Sequence, residues 1–141
     1  MKPIIDHIQI TVKDLVKAEV FYDQLMPLLG FDLSKKSKGR VEAHEFDVIE
    51  YSHPNIIFAI NSPRSQFKND EVHRRKPGSI HHLAFKAESE EEVDHFYKQL
   101  LLINVNIVSS PQLFPQHGDH YYAIFFKDLD GIKYELVFEK R

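Results

Sequence analysis

Cysteine is absent from the 141 residues. Its absence excludes disulfides, thiolate zinc sites and a cysteine nucleophile, and fits a reducing compartment. A dominant charge of one sign is also missing. Lys and Arg number 18 against 21 Asp and Glu, a formal net charge of −3, so the chain offers no basic field to nucleic acid. No apolar run is long enough to span a bilayer. The opening Met1-Lys2-Pro3-Ile4-Ile5-Asp6-His7 brings an acid and a histidine too early for the apolar region of a signal peptide. No segment is low-complexity. The expectation is a soluble, cytoplasmic protein whose partner is a small molecule, with neither nucleic acid nor membrane involved. The length suits one domain, residues 1–141, with a core of its own.

What the chain does contain is a repeat. Displaced by 75 residues, the sequence aligns with itself. His7 falls on His82 and Ile8 on Leu83, and Phe21-Tyr22-Asp23-Gln24-Leu25 falls on Phe96-Tyr97-Lys98-Gln99-Leu100. The surrounding patterns agree. Over 4–12, Ile8, Ile10 and Val12 alternate with His7, Gln9 and Thr11, as in a half-buried strand. Over 80–87, Leu83 and Phe85 oppose His82 and Ala84 in the same way. Asp14 and Ser89 are placed to cap the helices that follow, and Glu92 stands three residues after Ser89 as in a capping box. Leu15, Ala18, Phe21, Tyr22, Leu25 and Leu29 recur at helical spacing, as do Val93, Phe96, Tyr97, Leu100 and Leu101.

Gly30 marks the end of the first helix. Strands are then predicted near 31–37, 41–50 and 55–61, and in the second half near 104–109, 120–127 and 132–139. The fold class is therefore α+β: two tandem βαβββ modules, about 1–62 and 80–141, forming a curved mixed-sheet cup with helices on its outer face. The polar, turn-rich segment 63–79, which includes Arg74-Arg75-Lys76, connects them. The stretch Pro111–His120 reads as a loop able to cover a site.

A duplicated module brings equivalent positions together, so His7 and His82 are expected to line one concave face. Neutral imidazole is a common nitrogen ligand for divalent metals. The last strand, Ile132-Lys133-Tyr134-Glu135-Leu136-Val137-Phe138, sets Glu135 opposite Tyr134, Leu136 and Phe138. A carboxylate within an apolar strand needs a partner, and a metal is one such partner. The displacement of 75 carries Glu135 onto Ile60, and Ile56–Ile60 offers no donor side chain. His7, His82 and Glu135 are thus the candidate metal ligands, with Fe, Mn, Ni, Co or Zn all compatible.

Asp6-His7-Ile8-Gln9-Ile10, Phe21-Tyr22 with Leu29-Gly30-Phe31, His81-His82-Leu83-Ala84-Phe85, and Phe126-Lys127-Asp128-Leu129-Asp130-Gly131 before Glu135 together resemble the vicinal-oxygen-chelate superfamily of glyoxalases, bleomycin resistance proteins and extradiol dioxygenases. The resemblance covers essentially the whole chain. It implies a divalent metal held at His7, His82 and Glu135, chelation of adjacent substrate oxygens, and a homodimer. His81 is out of register with His7. The chain departs from the extradiol pattern at Phe125, where a tyrosine is usual, and at Leu129, where a proline is usual. It departs from the fosfomycin-transferase pattern at Ala123 and Phe125. The reaction class expected is a glyoxalase-like lyase or isomerase, with an extradiol-like dioxygenase or a non-catalytic antibiotic-binding module as alternatives. Glu135, His117 and Tyr122 are the candidate catalytic residues, and Gln9, Tyr121 and His120 the candidate substrate contacts.

Overall fold

Two amphipathic helices, each laid on one face of a four-stranded sheet, account for most of the buried residues of the computed structural model, which describes residues 4–140. The chain divides into two compact units, Met1–Asp70 and Glu71–Arg141. The division falls inside the polar segment read as a connection.

In the first unit β1 (His7–Thr11), α1 (Leu15–Leu28), β2 (Asp32–Val41), β3 (Phe46–His53) and β4 (Ile56–Asn61) form a sheet of order β1-β4-β3-β2. β1 and β4 are parallel, and the other pairs antiparallel. The second unit repeats this with β5 (Leu83–Lys86), α2 (Glu90–Leu100), β6 (Asn106–Leu113), β7 (Tyr121–Lys127) and β8 (Lys133–Glu139), in the order β5-β8-β7-β6. The tandem βαβββ reading holds.

The caps act as the sequence indicates. The Asp14 carboxylate accepts from the Lys17 amide at 3.0 Å, and the Ser89 hydroxyl from the Glu92 amide at 3.1 Å. Glu92 returns a bond to the amide of Glu88, one residue before the cap. The first helix ends where Gly30 adopts a φ of +85°, and the amide of Phe31 closes back on the Met26 carbonyl at 3.0 Å. A side chain disfavours that backbone and glycine does not.

The helix-facing sides are apolar. Tyr22 packs on Phe58 and Tyr51 with ring centroids 5.7 and 6.4 Å apart, and Leu25 and Met26 are fully buried beside them. In the second unit Phe126 meets Phe96 and Tyr134, both at 5.6 Å. Burying a side chain of this size contributes about 1.5–3 kcal/mol. The first unit also holds an ionic network near α1. Lys36 reaches Asp23 at 2.7 Å and Glu19 at 2.8 Å, Lys38 reaches Glu19 at 2.6 Å, and the buried Tyr51 donates to Asp23 at 2.9 Å.

Two strand boundaries differ from expectation. β2 runs on through Gly39 to Val41, and the chain turns at a short 3-10 segment, Glu42–His44, closed by Glu45 at φ +56°. β6 runs through Pro111 to Leu113. An edge strand tolerates proline because one side of its ladder is unpaired. The loop before β7 is correspondingly shorter than the stretch Pro111–His120. Among the described residues no helix is long and apolar enough to cross a membrane.

Candidate functional site

In the second unit the buried acid lies on the side of the sheet facing away from the helix. Strand parity and register set out this face. Ala84 and Phe125 are the partners of Glu135 on the flanking strands, and His82 and Lys133 lie two residues away on the same side. The opposite side of β8 presents Tyr134 and Leu136 to the core, as the alternation predicted.

Glu135 is 1% exposed. Its two carboxylate oxygens are used separately: Oε2 lies 3.1 Å from His82 Nε2, and Oε1 accepts the Tyr121 hydroxyl at 2.5 Å. Each oxygen of the buried carboxylate therefore has a polar side chain beside it. His82 Nδ1 lies 2.7 Å from His81 Nδ1, so a continuous chain of polar contacts runs from His81 through His82 and Glu135 to Tyr121. Aromatic rings enclose it. Phe125 stands edge-on to His82 at 6.2 Å and to Phe114 at 5.1 Å. The exposed His117 ring lies 5.2 Å from Tyr121 and 6.2 Å from Phe114. A pocket of about 250 Å³ opens on the same face, lined by Ala84, Lys86, Tyr121, Val137 and Glu139 among others.

Positive charge borders the group. The Lys133 ammonium sits 4.0 Å above the Phe125 ring. Burial, and then the charge of Arg74, hold it below the ordinary lysine value; Glu135 opposes that effect and Lys127 adds to it. Desolvation also lowers the pKa of His81, followed by the charges of His82, Arg74, Lys133 and Arg75.

The structure brings His82, Glu135, Tyr121 and His117 together. Tyr122 is a correction. Parity turns it to the helix side, where its hydroxyl donates to Asp94 of α2 at 2.8 Å. Its phenol is pushed up to about 12 by burial and then by Asp94, so it has no place in the catalytic set. His120 lies exposed in the turn before β7.

In the first unit His7 is exposed, its Nδ1 2.8 Å from Asp6. Gln9 donates to the buried Asn61 at 3.2 Å, and the Thr11 hydroxyl and Asn61 amide exchange contacts beside it. The repeat also needs one adjustment. Gln9 pairs with Ala59 as Ala84 pairs with Glu135, and Glu50 pairs with Ala59 as Phe125 pairs with Glu135. The counterpart of Glu135 is therefore Ala59, not Ile60. An extra residue in the turn between β7 and β8 makes the difference. There Asp128 accepts from the amides of Asp130 and Ile132 at 3.0 and 2.8 Å, and Gly131 takes φ +88°. Ala59, like Ile60, supplies no donor.

Among the described residues no three His, Asp or Glu side chains cluster tightly enough to hold a metal. The second unit contributes two converging donors. Ligands about 2.1 Å from a common ion lie about 3.0 Å apart at octahedral right angles and about 3.4 Å apart at tetrahedral angles, so the 3.1 Å between His82 Nε2 and Glu135 Oε2 falls in the range of a shared ion. Lys133 and the Tyr121–Glu135 bond were not legible as site features, because strand pattern does not reveal which side chains meet across a face.

The family model for the Glyoxalase/Bleomycin resistance protein/Dioxygenase superfamily matches residues 4–136. The uncharacterised protein YqjT of Bacillus subtilis (strain 168) is 30% identical over 132 residues, 93% of this chain and 95% of the relative. A glyoxylase/bleomycin resistance protein/dioxygenase domain from Frankia sp. EAN1pec superposes with a TM-score of 0.75 at 20% identity, covering 95% of each chain. The fosfomycin resistance protein FosX of Listeria monocytogenes, solved with Mn(II) and sulfate, superposes with a TM-score of 0.65 at 18% identity over 99% of this chain and 95% of that one.

Proposed function

The chain belongs to the glyoxalase/bleomycin resistance protein/dioxygenase superfamily, and on that premise we propose that it is a metal-dependent enzyme acting on a small oxygenated molecule, by lyase or isomerase chemistry. The observation that carries the reading is the buried Glu135, with one oxygen turned to His82 and the other to Tyr121. In this reading His82 and Glu135 hold a divalent ion, and His7, the repeat counterpart of His82, supplies the second imidazole. A bound Fe, Mn, Ni, Co or Zn ion contributes Lewis acidity towards adjacent substrate oxygens. FosX was solved with Mn(II), so manganese belongs among the first ions tested.

The remaining roles fall to the chain's own side chains. Tyr121 holds one carboxylate oxygen of Glu135, which fixes the direction of the other. His117, exposed and beside Tyr121, is positioned to take or give a proton at the substrate. Gln9 and His120 are proposed substrate contacts. Phe114 and Phe125 keep water from one side of the group. Phe125 brings no hydroxyl to the position where extradiol enzymes carry a tyrosine, which sets the dioxygenase reading second. The homodimer belongs to the same proposal, on the strength of the resemblance, and light scattering on the purified protein tests it.

A metal-free binding module is the alternative that one observation favours: both oxygens of Glu135 already have protein partners. Elemental analysis of tag-free protein separates the two. About one metal per chain in the wild type, lost in the His7→Ala/His82→Ala double variant, supports the enzyme. Iron would bring the dioxygenase forward. No metal after reconstitution with these ions, with ligand binding that survives chelator, supports the binding module.

A further inference from the structure

A short chain of hydrogen bonds in the first unit fixes which end of the Gln9 amide is held. It starts at Ser62, which is pinned to β3: its amide donates to the Asp47 carbonyl at 2.9 Å, and its hydroxyl accepts the Asp47 amide at 3.0 Å. The Ser62 carbonyl can only accept, and it takes Asn61 Nδ2 at 3.0 Å. Asn61 is 8% exposed. With Nδ2 committed, its Oδ1 faces Gln9 of β1 and accepts Gln9 Nε2 at 3.2 Å. The Thr11 hydroxyl sits beside the pair, taking Asn61 Nδ2 at 3.0 Å and giving to Oδ1 at 3.4 Å. Turning the Gln9 amide over would set its oxygen against Asn61 Oδ1. Turning Asn61 to relieve that would set Oδ1 against the Ser62 carbonyl. Each flip loses a bond and brings two acceptors together. The nitrogen end of Gln9 is therefore held at Asn61 and the oxygen end is turned away. Gln9 is exposed, and among the described residues its Oε1 accepts no bond. A second acceptor shares that side of the sheet. Gln9 and Glu50 both pair with Ala59, which sets their Cα atoms about 10 Å apart across β4. Ser37 donates to Glu50 Oε2 at 3.1 Å, and Oε1 carries no bond among the described residues.

We propose that Asn61 is a positioning residue that sets the polarity of Gln9, and that the substrate group read at Gln9 is a hydrogen-bond donor, a protonated amine or a hydroxyl. The assignment deepens the function proposed above and rests on that reading for its link to the reaction. A donor gains a bond to the Gln9 oxygen. A carboxylate or phosphonate placed there meets a second acceptor and leaves both unpaired. The Glu50 carboxylate adds attraction for a cationic donor and opposes an anion. Asn61 acts only through Gln9, because all of its own polar atoms are already bonded.

The test is a nitrogen-15 NMR titration of chelator-treated protein with glucosamine, with glucose and with acetate, following the Gln9 Nε2 signal and the backbone amides of Ala59 and Glu50. Glucosamine carries a protonated amine and hydroxyls, glucose hydroxyls alone, and acetate only acceptors. Saturable shifts at Gln9 are expected with glucosamine and none with acetate. Tighter binding of glucosamine than of glucose identifies the donor as the amine, and equal binding identifies it as a hydroxyl. Gln9→Met keeps the length of an exposed side chain and removes its oxygen, and should weaken glucosamine binding about tenfold. Asn61→Leu leaves Gln9 in place but free to turn. The preference for glucosamine over acetate should then shrink severalfold, a change that a loss of packing alone does not produce. No saturable shift at Gln9 with either sugar, acetate bound as tightly as glucosamine, Gln9→Met binding like the wild type, or an unchanged preference in Asn61→Leu overturns the assignment. Because chelator is present throughout, loss of the metal reading leaves this result standing. Failure here beside an intact metal site removes Gln9 from the substrate, not the ion from Glu135.

Discussion

The two units share a topology and differ in where they keep their buried charge. In the first, the ionic network sits beside the helix: Lys36 holds Asp23 and Glu19, and Tyr51 donates to Asp23. On the other side of that sheet, the position equivalent to Glu135 is Ala59, and His7 is exposed. In the second unit the helix side is largely apolar, and the charge lies on the opposite side, as Glu135 with His82 and Tyr121. The alternating apolar residues that fix the fold are common to both. Chemistry needs only a few substitutions at the positions that alternation leaves free. One unit adds an ionic clamp on its helix side, and the other sets its buried acid on the opposite side.

Moving the carboxylate to the other unit should break the comparison most severely. Ala59→Glu introduces an acid at a buried position whose strand partner is the carboxylate Glu50, where Glu135 has Phe125, and a cost of about 3 kcal/mol or more is expected. Urea unfolding measures it; a loss below about 1 kcal/mol would mean that the first unit tolerates the acid as the second does. The clamp comes next. Lys36→Met leaves Glu19 and Asp23 without their shared cation and should cost about 2 kcal/mol, read in the same unfolding curves, whereas Lys86→Met on the exposed edge of β5 should be nearly neutral.

Tyr121→Phe sharpens the contrast on the other side. It frees one oxygen of Glu135 and should weaken metal binding about tenfold, beside a stability loss of about 1–3 kcal/mol for the buried oxygen left without its donor. Equal affinity in the variant would reduce Tyr121 to packing. The smallest effect is one of pH. The bonds from Lys36 and then Lys38 hold the Glu19 carboxyl below its ordinary 4.5. A group depressed in the folded state stabilises above its unfolded pKa and loses that contribution as pH falls through the folded one. Melting temperature should therefore decline on acidification below about pH 4.5, and less steeply in Lys36→Met. Parallel curves would remove Glu19 from the clamp.

Much of this was legible in the sequence. Strand alternation assigned Glu135 to the side opposite Tyr134 and Leu136, the repeat paired His7 with His82, and Asp14 and Ser89 marked both helix starts. Parity was harder to read where lengths differ. An extra residue in the turn at Asp128–Ile132 moves the counterpart of Glu135 from Ile60 to Ala59, because a shift of one residue exchanges the two sides of a strand. The same period of two separates Tyr121 from Tyr122, yet nothing local says which is turned to the helix; only Asp94, 28 residues away, decides it.

The central claim is that Glu135 makes the second unit a metal carrier. Isothermal titration of Mn(II) into chelator-stripped wild type and Glu135→Gln tests it most directly. About one saturable site per chain in the wild type, weakened by roughly a hundredfold in the variant, is the predicted result. Identical isotherms, or a wild type that takes up no ion, would contradict the account.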